Sequence, residues 1–163
     1  MNKGMLSVLV LFFMLTSCVS TRNVIQIDDY ILVTTNGKDV YETKNITAFV
    51  FENNLRNLPF DQFVTNKFSL AGYHTREFWV TIDSNRYKII MYDNAELEKY
   101  IDISKFMVST EETQDMKIGS QGKFVAISML NASNEDCLAE GSLYENIAIK
   151  FLKNLKDEYL RYK

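Results

Sequence analysis

The sequence predicts an α+β fold in which a single, mostly antiparallel sheet of about five or six strands is packed by two or three helices, including a long C-terminal helix. Three observations support this prediction: residues 76–92 alternate as a hairpin does, residues 124–130 form an apolar run, and residues 142–162 carry apolar side chains at helical spacing. One proline and six glycines in 163 residues leave little room for linkers. Residues 25–163 therefore predict one globular domain.

The first strands are predicted around an Asn-Gly dipeptide. Residues 30–34 and 40–41 are rich in β-branched and aromatic side chains, and they flank Asn36 and Gly37. Asn-Gly is the strongest short hairpin signal, because both central positions of a type I′ turn need a positive φ. A third strand is expected at 46–51.

A helix is predicted at 58–70. Pro59 suits a first helical turn, where its missing N–H donor is harmless, and Gly72 is expected to close the helix. Its apolar face is made of Phe60, Phe63, Val64 and Phe68.

The hairpin at 76–92 separates two faces of the sheet. With Ser84 and Asn85 as the central residues of its turn, alternation places one set of side chains on a core face: Phe78, Val80, Ile82, Tyr87, Ile89 and Met91. The opposite face carries Trp79, Ile90 and Tyr92, rimmed by Glu77, Thr81 and Lys88. An aromatic cluster with a polar rim has the make-up of a binding patch, so Trp79, Ile90 and Tyr92 are the candidate binding residues. The alternative is that a helix, the C-terminal one above all, covers this face.

The remaining elements complete the predicted fold. Asp93 and Glu96 have the form of a capping box and predict a short helix that points Leu97, Tyr100 and Ile101 inward. Residues 103–108 predict a strand, 110–122 an exposed loop, and 124–130 a central strand covered on both faces. Residues 131–136 predict a turn. Ser142 and Glu145 form a second capping box, at the start of the helix expected over 142–162.

The N-terminus has the marks of an export signal. Lys3 precedes an apolar run at 5–15, which is too short for the roughly 20 residues that span about 30 Å of hydrocarbon. Directly after it, Leu15-Thr16-Ser17-Cys18 resembles the lipobox of the bacterial lipoproteins, in which an apolar residue and two small ones precede a cysteine. The alternatives are an ordinary signal peptide or a buried N-terminal strand.

The lipoprotein resemblance implies a processing site and a location. It implies cleavage between Ser17 and Cys18 and acylation of Cys18, so that residues 1–17 are a signal peptide and 18–24 a short lipidated tether. Two or three acyl chains hold a protein stably at a membrane. No Asp follows Cys18, which within the enterobacterial part of this class favours the outer membrane of a Gram-negative bacterium.

Charge excludes one class of partner. The chain has 18 basic and 21 acidic residues, a net charge of −3, and both signs are scattered along its length. Without a basic run that could follow phosphates, nucleic acid is not an expected partner. The expected partners are the membrane, through the N-terminal lipid, and an envelope protein or a small ligand.

Catalytic candidates are few. Cys137 and His74 could form a thiol hydrolase pair, but Glu135 and Asp136 disfavour a thiolate, and a structural thiol is the competing interpretation. With one histidine, no metal site is expected, and no motif indicates a cofactor. The sequence thus predicts a lipid-anchored binding or accessory module of the cell envelope, with an envelope hydrolase using Cys137 and His74 as the alternative.

Overall fold

The structure, a computed structural model, describes residues 21–25, 27–36, 39–40, 43–53, 58–72, 75–102, 107–111 and 123–162. Its strands are β1 (Thr21–Ile25), β2 (Ile31–Thr34), β3 (Asp39–Val40), β4 (Thr43–Lys44), β5 (Thr47–Glu52), β6 (Glu77–Ile82), β7 (Asn85–Met91), β8 (Met107–Glu111) and β9 (Phe124–Asn131). Its helices are α1 (Phe60–Phe68), α2 (Asn94–Tyr100) and α3 (Glu145–Arg161). The predicted α+β fold is confirmed.

One antiparallel sheet organises the molecule. Its strand order is β2-β5-β9-β7-β6, while β1 pairs with β8 and β3 with β4 in separate two-stranded ribbons. All eight residues of β9 are buried. The prediction of a central strand covered on both faces is therefore confirmed, and it explains why this strand is apolar at nearly every position.

The first face of the sheet is covered by α1 and α3. Aromatic rings fill the contact: the Tyr159 ring lies 5.0 Å from Phe60 and 5.4 Å from Phe63, centroid to centroid. The predicted core residues of the 76–92 hairpin belong to this layer, with Ile82 partly buried at its margin. The C-terminal helix thus packs across the sheet on its core face.

The second face has its own smaller core. The buried side chains Leu97 of α2, Ile101 just after it, and Ile27 pack there against Ala48 and Val50 of β5. The sheet is therefore a middle layer between two apolar clusters.

The predicted N-terminal hairpin is wrong. Strand β2 pairs with β5, with Ile31 opposite Val50 and Thr34 opposite Thr47. Val40 belongs instead to the short β3-β4 ribbon, which the chain forms between these two strands, and Tyr41 lies outside the described residues. Burial against the central strands stabilises β5, and this long-range pairing prevails over the local Asn-Gly signal; Gly37 itself lies outside the described residues.

The turn of the β6-β7 hairpin lies one residue earlier than predicted. Asp83 and Ser84 are its central residues, with φ of 49° and 67°, the signature of a type I′ turn. Ile82 consequently opposes Asn85, and Val80 opposes Tyr87. The partners shift by two residues, which preserves the side-chain alternation, so both faces are assigned correctly although every cross-strand pair is displaced.

The observed helix ends confirm one of the two predicted capping boxes and differ from the other predicted ends. The capping box of α2 forms as predicted: the Asp93 carboxylate accepts from Glu96 N at 2.8 Å, and the Glu96 carboxylate accepts from Asp93 N at 3.3 Å. Helix α3 begins at Glu145, not at Ser142, and the Glu145 carboxylate accepts from Gly141 N instead. Helix α1 ends on Ser69 in the left-handed conformation, three residues before Gly72.

Two predicted segments are described in part. The expected strand 103–108 overlaps β8 at 107–108, and the expected loop 110–122 begins inside β8. Residues 103–106 and 112–122 lie outside the described residues. At the N-terminus β1 starts at Thr21, so strand structure begins within the predicted tether 18–24 and before the expected domain start at Ile25.

Candidate functional site

The three candidate patch residues do not share one exposed surface. Trp79 is 42% exposed, whereas Ile90 is 2% and Tyr92 9% exposed. Ile90 and Tyr92 lie in the second core, beneath Leu97 and Ile101. The helix that covers this part of the face is α2, not the C-terminal helix named as the alternative.

Tyr92 is held inside by hydrogen bonds. Its hydroxyl lies 2.8 Å from Ser128 Oγ, and that hydroxyl in turn donates to the Thr47 carbonyl at 2.7 Å. Because Ser128 has a single proton to give, Tyr92 is the donor in this chain. Burial raises the pKa of Tyr92 to about 12.

Trp79 stands at the margin of the sheet between two cations. The Arg86 guanidinium lies 4.8 Å and the Lys88 ammonium 5.1 Å from its ring. Cations at these distances are attracted to the ring quadrupole and hold the indole in place. Trp79 is therefore an ordered, partly exposed aromatic side chain.

Cys137 is fully buried. Its backbone N–H donates to the Met129 carbonyl, and burial, with Asp136 and Glu135 adding to it, raises the pKa of its thiol to about 12. The sequence-based expectation that the two acids disfavour a thiolate agrees with this direction. His74, Ser17 and Cys18 lie outside the described residues, so the structure says nothing of their placement.

A cleft opens at one end of the sheet. It has a volume of about 360 Å³ and is bounded by the end of β5, the start of α1, the residues before β6, the end of β7 and the starts of α2 and β9. Its apolar lining includes Phe60, Met91, Phe124 and Ala126. The polar lining is made of Asn53, Asp61, Thr75, Arg76, Tyr92, Asp93 and Asn94.

An ion-pair network forms one wall of the cleft. Arg76 contacts Asp93 at 2.5 Å and Glu96 at 3.5 Å, the same two carboxylates that make the α2 capping box. Arg76 thus connects the strand β6 to the start of α2. More than half of the Arg76 side chain remains exposed, so the guanidinium can also meet a bound group.

The opposite wall is set by packing. Asn53 follows β5, donates its backbone N–H to the Lys123 carbonyl at 2.7 Å and accepts from the Tyr159 hydroxyl at 2.6 Å. These bonds position the amide between α3 and the cleft. Asp61 stands in the first turn of α1, where the helix dipole favours an acidic side chain.

The described lining of the cleft offers carboxylates, amides, hydroxyls and one guanidinium, which can bind a polar ligand through hydrogen bonds and charge. Among the residues that the structure describes, no group of three His, Cys, Asp or Glu side chains could hold a metal ion. In that same part of the chain, no helix is long and apolar enough to cross a membrane.

Sequence reasoning did not find this site. The sequence analysis marks Asp93 only for its capping role and residue 76 only as the start of the hairpin, and it does not single out Asn53. Of the predicted binding residues, Tyr92 lines the cleft. The sequence does not give the strand order. The ends of β5 and β7 and the start of β9 meet at the cleft because these three strands are neighbours in the sheet. No local motif marks such a convergence.

Comparison with known proteins gives no relative. No protein-family model, no curated protein and no solved structure matches this chain.

Proposed function

We propose that this chain is a lipid-anchored protein of the bacterial cell envelope whose domain binds a small ligand in the cleft at the Arg76 end of the sheet. The observation that carries the binding proposal is the cleft itself, in which an apolar floor meets charged side chains of both signs. Ligand sites in proteins combine apolar lining with a few polar groups in this way, at volumes of about 300–1,000 Å³.

The charged side chains that line the cleft indicate which chemical groups the ligand carries. An anionic group would meet the exposed part of Arg76, and hydroxyl or amino groups would donate to Asp61 and Asn53. The apolar floor around Met91 would take a compact hydrocarbon portion. This composition supports a small molecule with polar groups at its ends.

The anchor part of the proposal rests on residues 15–18 and on the place where the N-terminal segment meets the sheet. Ile27 N donates to the Glu52 carboxylate at 3.3 Å, and Glu52 directly precedes Asn53 of the cleft. The N-terminal segment therefore meets the sheet beside the cleft. With β1 starting at Thr21, a lipid on Cys18 would hold the domain close to the bilayer.

Ligand binding is tested with one cleft variant and one matched control. Thermal shift with a panel of small anions, amino acids and sugars should give a compound that raises the midpoint of the unmodified chain but not of Arg76→Ala. Arg86→Ala removes an arginine outside the cleft and should keep the response. A panel without any hit, or equal responses of the two variants, would contradict the proposal.

Lipidation is tested separately. Mass spectrometry of the chain expressed in a Gram-negative host should show a mature protein that begins at an acylated Cys18. Cys18→Ser should abolish the acyl mass, whereas Cys137→Ser should retain it. An unmodified cysteine at position 18 would disprove the anchor without bearing on the cleft.

The alternative, a hydrolase that uses Cys137 and His74, draws less support. Cys137 is fully buried, and burial, with Asp136 and Glu135 adding to it, raises the pKa of its thiol to about 12, which weighs against a resting nucleophile.

A further inference from the structure

The cleft has more negative than positive side chains at its walls. Among the described residues there, the guanidinium of Arg76 stands with three carboxylates, those of Asp61, Asp93 and Glu96. One positive and three negative side chains leave a formal charge of −2. The N-termini of α1 and α2 also lie at the cleft, and each adds about half a positive charge. The described walls therefore stay negative.

Asp61 is the carboxylate of these walls that has no cation beside it. One of its oxygens accepts from Gln62 N at 2.9 Å, and in the part of the chain that the structure describes no lysine or arginine pairs with it. Asp93 and Glu96, in contrast, both contact Arg76 and make the capping box of α2. The negative charge of the cleft is therefore least compensated at Asp61.

Apolar groups surround this carboxylate on the cleft side. Phe60, the residue before it, lines the cleft together with Met91 and Phe124, and Asp61 itself is half-buried. Burial, and after it the negative charge of Asp61, raises the pKa of Tyr159. The charge of Asp61 thus acts on the core beside the cleft, where water screens it less than at an open surface. A cation bound beside Asp61 would be attracted strongly for the same reason.

We propose that the ligand of the cleft is an amino acid or a related zwitterion, whose ammonium group binds Asp61 while its anionic group meets the exposed part of Arg76. This inference rests on the binding function proposed above and narrows the class of ligand. A simple anion would add negative charge to walls that are already negative. A zwitterion adds no net charge and supplies the cation that Asp61 lacks, and its hydrocarbon part would lie against Met91 and Phe124.

Matched pairs of compounds test whether the ligand needs an ammonium group. Leucine, γ-aminobutyrate and δ-aminovalerate each have a counterpart without the amino group, namely isocaproate, butyrate and valerate. In thermal shift with the full chain in a mild detergent, at least one amino compound should raise the midpoint and its counterpart should not. Equal shifts within every pair, or a shift only with compounds that lack an amino group, would overturn the inference and leave binding in the cleft intact. No shift with any compound would contradict both.

Two aspartate variants test where the ammonium group binds. Asp61→Asn keeps the shape of the side chain and removes its charge, so it should weaken binding of the amino compound about tenfold or more in calorimetry, as the loss of a charged hydrogen bond does. Asp83→Asn is the matched control. Asp83 lies before β7, at the other end of that strand from the cleft, and asparagine suits its positive φ of 49°.

Circular dichroism confirms that both aspartate variants are folded. Equal affinities of Asp61→Asn and Asp83→Asn for the amino compound would overturn the inference. Binding that is lost in Arg76→Ala and kept in Asp61→Asn would overturn it as well, although the cleft would remain a binding site.

Discussion

At the scale of single residues, burial separates the two aromatic side chains that the sequence places on one face. Trp79 meets solvent at the sheet margin, and Tyr92 closes a buried hydrogen-bond chain through Ser128 to Thr47. Alternation along a strand assigns both residues to the same side. Strand alternation does not show which part of that side a helix covers. Helix α2 covers Tyr92 but not Trp79.

Tyr92 is therefore expected to stabilise the fold. Tyr92→Phe removes one buried hydrogen bond and should lower the free energy of unfolding by about 1 kcal/mol, and Tyr92→Ala by about 3–5 kcal/mol. Trp79→Phe is the control, with a change below about 1 kcal/mol. Urea denaturation followed by circular dichroism measures all three, and an unchanged midpoint for Tyr92→Ala would contradict the buried placement.

Cys137 is expected to be an inert thiol. Because it is fully buried and its pKa is raised to about 12, iodoacetamide at neutral pH should label it far more slowly than a model thiol, in a Cys18→Ser background. Labelling should become fast in denaturing urea. Fast labelling of the folded chain would instead revive the hydrolase alternative.

At the scale of elements, an ion pair between a buried lysine and a half-exposed aspartate fixes α3 to the segment before β2. Lys156 is 5% exposed and contacts Asp29, which also contacts Lys153 at 2.7 Å. The two lysine hydrogen bonds lower the pKa of Asp29. Sequence periodicity did not assign Lys156 to the buried face of α3, since its partner is 127 residues away. Long-range pairs of this kind, like the β2-β5 pairing, leave no local signal.

Removing the partner of a buried lysine should cost more than removing the partner of a partly exposed one. Asp29→Asn leaves the buried Lys156 ammonium with the Asp157 carboxylate, at 3.3 Å, and should destabilise the fold, whereas Glu158→Gln at the Lys67–Glu158 pair should change stability by less than about 1 kcal/mol. Lys156→Met should be tolerated better than Asp29→Asn. Chemical denaturation at pH 7 measures the free energy of unfolding of the three variants. Equal effects of Asp29→Asn and Glu158→Gln would contradict a stabilising role of the Asp29–Lys156 pair.

The same pair gives an acid dependence. The folded pKa of Asp29 is lowered, so its contribution is present above the unfolded pKa, near 3.8, and is lost as the pH falls through the folded value. The stability difference between the unmodified chain and Asp29→Asn should therefore shrink below about pH 4. A difference that stays constant down to pH 2 would show that the lysine contacts are not electrostatic.

At the scale of the whole molecule, local sequence patterns predicted which segments form helices and strands, but not which strands lie next to each other. The α2 capping box, the burial of β9 and the face of α3 are set by neighbouring residues and were predictable. The partner of β2, the turn position in the β6-β7 hairpin and the cleft depend on which strands lie together. In Asp83-Ser84-Asn85-Arg86 several residues suit a turn, and only packing of the paired strands selects the central two.

The two apolar clusters on either side of the sheet also determine how the stability of the fold changes at high pH. Burial raises the pKa of Cys137 and of Tyr92 to about 12, and it raises the pKa of Tyr159 as well. A group with a raised folded pKa holds its proton longer in the native state, so its stabilisation is complete below the unfolded pKa and is lost as the pH rises toward the folded value. Each such group adds up to about 1.4 kcal/mol per pH unit to the slope.

Stability is accordingly expected to be level between pH 6 and pH 8 and to fall from about pH 9 upward, where unfolded thiols and then phenols ionise. Urea midpoints measured at one-unit intervals give the slope. Cys137→Ala and Tyr92→Phe each remove one group and should flatten the curve between about pH 9 and pH 12, although both lower stability at neutral pH. Glu158→Gln, which touches neither core, should run parallel to the unmodified chain. Parallel curves for all variants would mean that the two ionisable side chains are open to water, which would contradict a sheet covered on both faces.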